Sequence, residues 1–163
     1  MFYKLRVVGI IFISLFSTLA LAAAPDITVK DVNGKSHNVN QHIGKGKWTV
    51  VVFWAYNCHV CNAEIQQMTF FQDDHAEKDA TVLGISVDGF DKVKKSRAFI
   101  DNHELNFPNY LIKLEESEFL KFGGGRFGGT PTFYLYNPAG ELVAKNLGAV
   151  SPEVIEKFIK DNS

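Results

Sequence analysis

Apolar residues are gathered into separate runs along the chain, and the spacing within each run predicts a strand or a helix. Three runs are rich in apolar, β-branched and aromatic residues, as is typical of buried strands: residues 48–54, 81–87 and 132–136. Residues 26–39 alternate loosely between apolar and polar side chains around Asn33-Gly34, a pair that favours a tight hairpin turn. Two short strands are therefore expected ahead of the first buried strand.

Helices are predicted where apolar residues recur every three or four positions. The longest such pattern runs from residue 58 to about residue 78, and its apolar face comprises Cys61, Ile65, Met68 and Phe71. Shorter helices are expected over 91–103, over 116–122 and from Pro152 to about residue 160, the last with an apolar stripe of Val154, Phe158 and Ile159. Further strands are predicted at 110–114 and 141–146.

The order of these elements indicates the fold class. Strands alternate with helices in the middle of the chain, which predicts an α/β fold with parallel strand pairs, and the two strands before the last helix add antiparallel ones. We expect a central mixed β-sheet flanked by helices on both faces, extended by the N-terminal β-hairpin. Residues 26–163 are enough for one domain and few for two.

The first 22 residues have the composition of a secretory signal peptide. Lys4 and Arg6 precede an apolar run over residues 7–21, and Ala20 and Ala22 offer the small residues of a cleavage site. The run is short for a membrane span, which needs about 20 apolar residues. Cleavage after Ala22 is therefore favoured over a retained membrane anchor, and the protein is expected in the periplasm.

Composition and charge exclude some function classes and direct attention to the cysteines. The chain has a net charge of −1 and 46% hydrophobic residues, with no basic stripe of the kind that binds nucleic acid. Its only cysteines are Cys58 and Cys61. A small exported protein stabilised by disulfides usually has several pairs at long spacings, and a bridge across so short a loop removes little entropy from the unfolded chain. A reversible redox pair is the better interpretation.

The pair stands where a strand passes into a helix, which favours thiolate chemistry. The N-terminus of a helix has free N–H groups and partial positive charge, and both stabilise a thiolate. Cys58 is expected to be the exposed attacking thiolate, and Cys61, one turn further on, to be more buried and to resolve a mixed disulfide. The alternatives are a static disulfide or two metal-binding thiols, although zinc usually takes four ligands and only His59 is near.

Three separated segments resemble one family. Residues 51–61 have the form Val-Val-Phe-Trp-Ala-x-x-Cys-x-x-Cys, Glu64 follows three residues after the second cysteine, and Gly129-Thr130-Pro131-Thr132 comes some seventy residues later. In these features the chain resembles the exported thioredoxin-fold thiol–disulfide oxidoreductases of the TlpA/ResA type. The resemblance implies a thioredoxin fold and a redox-active disulfide in place of any bound cofactor.

The resemblance implies roles for Glu64, Thr130 and Pro131, and the positions of Trp54 and His59 near the cysteines indicate roles for these two. Glu64 would exchange a proton with a cysteine if it is buried, and Pro131 would follow a cis peptide bond. The backbone of Thr130 would pair with an extended substrate segment beside Cys58, and Trp54 would face the disulfide. His59, when protonated, would stabilise the Cys58 thiolate and make the couple more oxidising.

Two positions depart from the family pattern, and one loop is ambiguous. Asn57 stands where members often have Trp, and His59-Val60 where many have a Pro between the cysteines. The loop over 123–129 contains five glycines, but it leads into a strand and lacks the Lys-Ser/Thr of a phosphate-binding loop. It is expected to form a rim beside Pro131, where Arg126 and Phe127 are available to contact a partner, or to serve as a flexible linker.

The hypothesis is an exported thiol–disulfide oxidoreductase that reduces or exchanges disulfides in other exported proteins. The resemblance implies a reductant, as in cytochrome c maturation, with a membrane thiol–disulfide transporter as electron donor. The alternatives are an oxidant or isomerase of the same fold, a peroxiredoxin-like peroxidase, and a non-catalytic binding or chaperone module. The peroxidase alternative would need a single reactive cysteine with Pro and Thr shortly before it, and residues 51–57 contain neither.

Overall fold

The computed structural model describes residues 24–113 and 115–163. The predicted signal peptide over 1–22 lies outside these residues. Within the part of the chain that is described, none of the helices combines the length and apolar character needed to cross a bilayer.

In the described residues seven strands form one mixed sheet; four α-helices lie in the connections between strands, and a fifth follows the last strand. The strands are β1 (Thr28–Lys30), β2 (Ser36–Asn38), β3 (Trp48–Trp54), β4 (Ala80–Ser86), β5 (Asn109–Leu111), β6 (Thr132–Tyr136) and β7 (Leu142–Leu147). The helices are α1 (His59–Glu64), α2 (Gln67–His75), α3 (Val93–Asn102), α4 (Glu116–Lys121) and α5 (Pro152–Asn162). The strand order is β2-β1-β5-β4-β3-β6-β7. The predicted mixed α/β sheet is confirmed.

The sheet has a hydrophobic core on each face because the central strands are buried on both sides. Along β3, Val50, Val52 and Trp54 face one core, which α1, α2, α3 and α5 cover. Val51 and Phe53 face the other, where they pack with α4 and the N-terminal segment. Strands covered on both faces need no polar alternation, which explains the continuous apolar run of β3.

Most predicted elements are confirmed within one or two residues. The bounds of β3 and β6 agree with the prediction, and the N-terminal hairpin forms antiparallel pairs from Thr28–Asn38 to Lys30–Ser36. The strand predicted at 110–114 is observed at Asn109–Leu111, and Leu114 lies outside the described residues. The helix predicted over 91–103 is a 3₁₀ turn at Phe90–Lys92 followed by α3.

Two predictions about helices are wrong in detail. The single helix expected from residue 58 to 78 is two helices, with a break at Ile65 and Gln66, although all four predicted apolar residues are buried. In α5, Val154 is 59% exposed and does not belong to the apolar stripe; Ile155 takes that place beside Ile159. These two residues are four positions apart and so lie on the same helix face, toward the sheet.

The topology brings three strand ends to one edge of the sheet. β3 and β4 are parallel neighbours, so their carboxyl ends lie together. β6 is antiparallel to β3 and starts beside its end, with Thr132 paired to Phe53. The segments that follow Trp54 and Ser86, and the one that precedes Thr132, therefore meet at this edge.

Candidate active site

The two cysteines lie at the start of α1, at this edge of the sheet. Cys58 is the N-cap of α1, and its Sγ accepts a hydrogen bond from the Cys61 N–H at 3.1 Å. The residues are joined by a disulfide, with their Cα atoms 5.2 Å apart. Cys58 is partly exposed, whereas Cys61 is 1% exposed and belongs to the core. Only one of the two sulfurs is thus accessible to a second protein.

The segment between Thr130 and Thr132 lies beside the end of β3. The Thr130–Pro131 peptide bond is cis, as predicted. The Pro131 carbonyl accepts from the Gly148 N–H at 2.9 Å, and the Thr132 hydroxyl donates to the Gly129 carbonyl at 2.6 Å. Across residues 24–113 and 115–163, no hydrogen bond uses either backbone group of Thr130. That backbone is available to an added strand.

Glu64, the last residue of α1, is partly exposed rather than buried. Its Oε2 accepts a hydrogen bond from Gln67 Nε2 at 2.5 Å, across the break between α1 and α2. The carboxylate is thus held at the C-terminal end of α1, the helix that Cys58 caps.

Trp54 and His59 are placed very differently. Trp54 is fully buried: its ring stacks on Phe99 at 4.4 Å between centroids, and its Nε1–H donates to Asn109 Oδ1 at 3.1 Å. It can act on a bound partner only indirectly, by fixing the end of β3. His59, the first residue of α1, is exposed next to Cys58.

Two side chains of the glycine-rich loop over 123–129 attach it to the rest of the fold. The ring of Phe127 packs against Phe119 at 4.2 Å and lies 6.1 Å from Phe53, so this side chain faces the core. The exposed Arg126 donates through Nε to Glu116 at 2.6 Å. The loop is therefore attached to α4 through the adjacent residues Arg126 and Phe127.

Several polar residues that support the site are absent from the sequence motifs. Asp88 follows β4 and accepts from the Tyr56 N–H at 2.9 Å. Asn62 donates through Nδ2 to the carbonyl oxygens of Cys58 and Tyr56, at 2.8 and 3.2 Å. A polar residue just past the carboxyl end of a strand next to β3 is a signal that would have indicated Asp88, since such ends line ligand sites in α/β sheets. Asn62 carries no comparable signal.

Comparisons with known proteins agree with this geometry. A model of the AhpC/TSA family matches residues 21–145. The chain is 29% identical over 141 residues to the thiol-disulfide oxidoreductase ResA of Oceanobacillus iheyensis, which covers 85% of this chain and 70% of the relative.

Solved structures show the same fold. A thiol:disulfide interchange protein of the thioredoxin family from Chlorobium tepidum superposes with a TM-score of 0.70 at 23% identity, over 85% of this chain and 94% of that one. The thioredoxin domain of a thiol-disulfide oxidoreductase from Bacteroides vulgatus gives 0.68 at 26% identity, over 85% and 96%. The chain belongs to the AhpC/TSA family and is a thiol–disulfide oxidoreductase of the ResA type, with a thioredoxin-like fold and a Cys-x-x-Cys active site.

Proposed function

We propose that the protein exchanges disulfides with exported proteins through a mixed disulfide on Cys58, which Cys61 resolves. The observation that carries this proposal is the unequal burial of the two sulfurs at the start of α1. Cys58 is partly exposed as the N-cap, and Cys61 is 1% exposed. The positive end of the helix dipole favours the thiolate on the accessible residue.

In the reducing direction, the exchange takes two displacements at sulfur. The Cys58 thiolate attacks one sulfur of the substrate disulfide, which forms the mixed disulfide and releases the other substrate sulfur as a thiolate. The Cys61 thiolate then attacks Cys58 Sγ, which re-forms the Cys58–Cys61 disulfide and releases the second substrate thiolate. Two electrons pass from the dithiol to the substrate, and the protons of the two cysteines are balanced by those that the substrate thiols take up.

The surrounding residues have distinct proposed roles. An extended substrate segment pairs with the free backbone groups of Thr130, beside the cis Pro131. Glu64, one turn along α1, accepts the proton of Cys61 during resolution as a partly exposed carboxylate, without the burial on which the sequence prediction depended. A protonated His59 stabilises the Cys58 thiolate, which favours the reduced form and makes the couple more oxidising.

The cellular setting follows from the N-terminal sequence and the family. The positive start and apolar run of residues 1–22 support export to the periplasm. There the protein would receive electrons from a membrane thiol–disulfide transporter and keep substrate cysteines reduced, as cytochrome c maturation requires before haem attachment.

A trapping experiment tests the exchange. Cys61→Ala leaves a mixed disulfide on Cys58 unresolved, so in a periplasmic extract this variant should collect adducts that a reducing agent releases. Cys58→Ala is the matched control, because its remaining sulfur is buried and should collect few. The proposal fails if the two variants give the same adducts, or if Cys61→Ala gives none.

Two simple assays separate the alternatives. Insulin reduction above background is expected for an oxidoreductase and absent for a binding or chaperone module. Rapid turnover of hydrogen peroxide would favour a peroxidase instead, and we expect only slow reaction because Cys58 lacks the preceding Pro and Thr.

A further inference from the structure

Tyr56, two residues before Cys58, is held by side chains from three different elements. Its N–H donates to Asp88 Oδ2 in the segment after β4, at 2.9 Å. Its carbonyl accepts from Asn62 Nδ2 on α1 at 3.2 Å. Its hydroxyl accepts from Lys95 Nζ on α3 at 3.2 Å, and the same ammonium lies 4.5 Å from the centre of the ring. Both backbone groups and the side chain of one residue are thereby fixed.

The residue that holds the Tyr56 N–H is itself held in place. Asp88 Oδ2 also accepts from the Ser86 hydroxyl at 2.8 Å, and Ser86 Oγ lies 3.3 Å from Ser96 Oγ on α3. Both serines are fully buried, where a polar side chain is costly unless it is hydrogen-bonded. The network therefore anchors the Asp88 carboxylate to the core between β4 and α3.

The Asn62 amide has an orientation that its hydrogen bonds determine. Its Nδ2 group donates to the carbonyl oxygens of Tyr56 and Cys58, so Oδ1 is the acceptor and lies 3.2 Å from His103 Nε2. His103 immediately follows α3 and packs against Phe99, with 4.4 Å between the ring centres. The residue that follows α3 thus supports the Asn62 side chain, which bridges the carbonyl oxygens of Tyr56 and Cys58.

The chain between β3 and α1 needs such support. β3 ends at Trp54 and α1 begins at His59, so residues 55–58 belong to neither element. The only backbone hydrogen bond within this segment joins the Cys58 N–H to the Ala55 carbonyl at 3.1 Å. A displacement of about 1 Å at a reacting atom can lower a rate on the order of a hundredfold, so the path of this segment matters for attack by Cys58.

We propose that Asp88, Asn62 and Lys95, acting through Tyr56, are positioning residues that align Cys58 Sγ with a protein substrate bound along Thr130 and Pro131. The proposal rests on the proposed role of Cys58 as the attacking sulfur. None of the three side chains takes part in the sulfur chemistry. They fix the segment that carries Cys58 relative to the start of β6.

Two probes distinguish positioning from a change in thiol reactivity. Insulin must be aligned with both Cys58 and the neighbouring backbone, whereas iodoacetamide reaches an exposed thiolate from many directions. For Asp88→Ala and Asn62→Ala, we expect the second-order rate of insulin reduction by the reduced protein to fall about tenfold. The rate of Cys58 alkylation by iodoacetamide, measured from pH 5 to 9, should change less than about threefold.

Conservative variants and a control make the result decisive. Asp88→Asn keeps an oxygen that accepts from Tyr56 and Ser86, so it should retain most of the insulin rate that Asp88→Ala loses. Lys95→Met removes the ammonium from an exposed side chain with little risk to folding, and we expect about a threefold loss with insulin. Gln66→Ala, on the exposed surface just after α1, is the control.

The possible outcomes separate the two proposals. Insulin rates at the wild-type level in Asp88→Ala, Asn62→Ala and Lys95→Met would overturn the positioning role. An equal loss with insulin and iodoacetamide, or a shifted pH profile of alkylation, would also overturn it in favour of an effect on the Cys58 thiol itself. If the wild-type protein fails to reduce insulin, or is alkylated first at Cys61, the proposed function fails instead.

Discussion

Gly84 lies in β4 directly beside the side chain that binds the indole of Trp54. A Cβ at this position would lie 2.0 Å from Asn109 Oδ1 and 2.8 Å from its Cγ. Asn109 has little freedom to move away, because Oδ1 accepts from Trp54 Nε1 at 3.1 Å and Nδ2 donates to the Phe107 carbonyl at 2.8 Å. Gly84→Ala must therefore displace Asn109 and leave the buried indole N–H without a partner.

The cost of Gly84→Ala has three parts. Overpacking a well-filled core costs about 1–3 kcal/mol. An unpaired buried donor costs about 1–3 kcal/mol more. Replacing glycine within a strand offsets about 0.5–1 kcal/mol of this destabilisation, since alanine loses less backbone entropy on folding. The free energy of unfolding should thus fall by about 1–5.5 kcal/mol, a large share of the roughly 5–15 kcal/mol of a typical domain.

A double-mutant cycle with Asn109→Ala tests this explanation. Asn109→Ala removes the obstructing side chain, so Gly84→Ala should cost far less in that background than in the wild type. The assay is urea denaturation of the oxidised protein followed by tryptophan fluorescence, with an unchanged slope as the check on two-state behaviour. The reasoning is refuted if Gly84→Ala costs the same in both backgrounds, or costs nothing in the wild type.

Two buried tyrosines, Tyr134 and Tyr136, and the partly buried His42 give three further predictions. Tyr136→Phe should lower the free energy of unfolding by about 1–3 kcal/mol, because the Tyr136 hydroxyl donates to the buried Phe122 carbonyl. Tyr134→Phe should be neutral or stabilising in the same denaturant assay, since its buried hydroxyl has no hydrogen-bond partner among the described residues. Burial and the nearby His37 lower the pKa of His42 below its usual value of 6.5, so the unfolded chain binds this proton more readily. The free energy of unfolding should therefore decrease as the pH falls through 6.5 toward the folded-state pKa of His42. His42→Gln should make that decrease smaller. If the variant has the same pH dependence of stability as the wild type, the attribution to His42 is wrong.

The central strands are predictable from the sequence because burial on both faces favours apolar residues at nearly every position. β3 and β6 are buried throughout, mostly apolar, and have the predicted bounds. The break at Ile65 and Gln66 leaves the apolar spacing undisturbed, since Cys61, Ile65 and Met68 face the core on both sides of it. No proline or glycine marks the break either. Neither the apolar pattern nor a helix-breaking residue therefore indicates it in the sequence.

The reactive residues could be predicted from the sequence, whereas the polar residues that support them could not. Cys58, Cys61 and Pro131 are recognisable because their chemistry needs those residue types in a fixed local arrangement. Asp88 and Asn62 act through hydrogen bonds that only the folded chain brings together, and other polar residues of similar length satisfy the same local propensities. Sequence spacing places Glu64 on the helix but does not determine its exposure, which depends on how α1 packs.

The central claim is that the Cys58–Cys61 disulfide is a reversible redox couple, and its reduction potential tests that claim most directly. The oxidised protein would be equilibrated with glutathione buffers of known potential, and the dithiol fraction counted by mass spectrometry after alkylation. We predict a reduction potential between about −270 and −120 mV, the range of redox-active thioredoxin-fold proteins, with the lower end supporting a reductant. A potential below about −300 mV, as is typical of structural disulfides, would contradict the account.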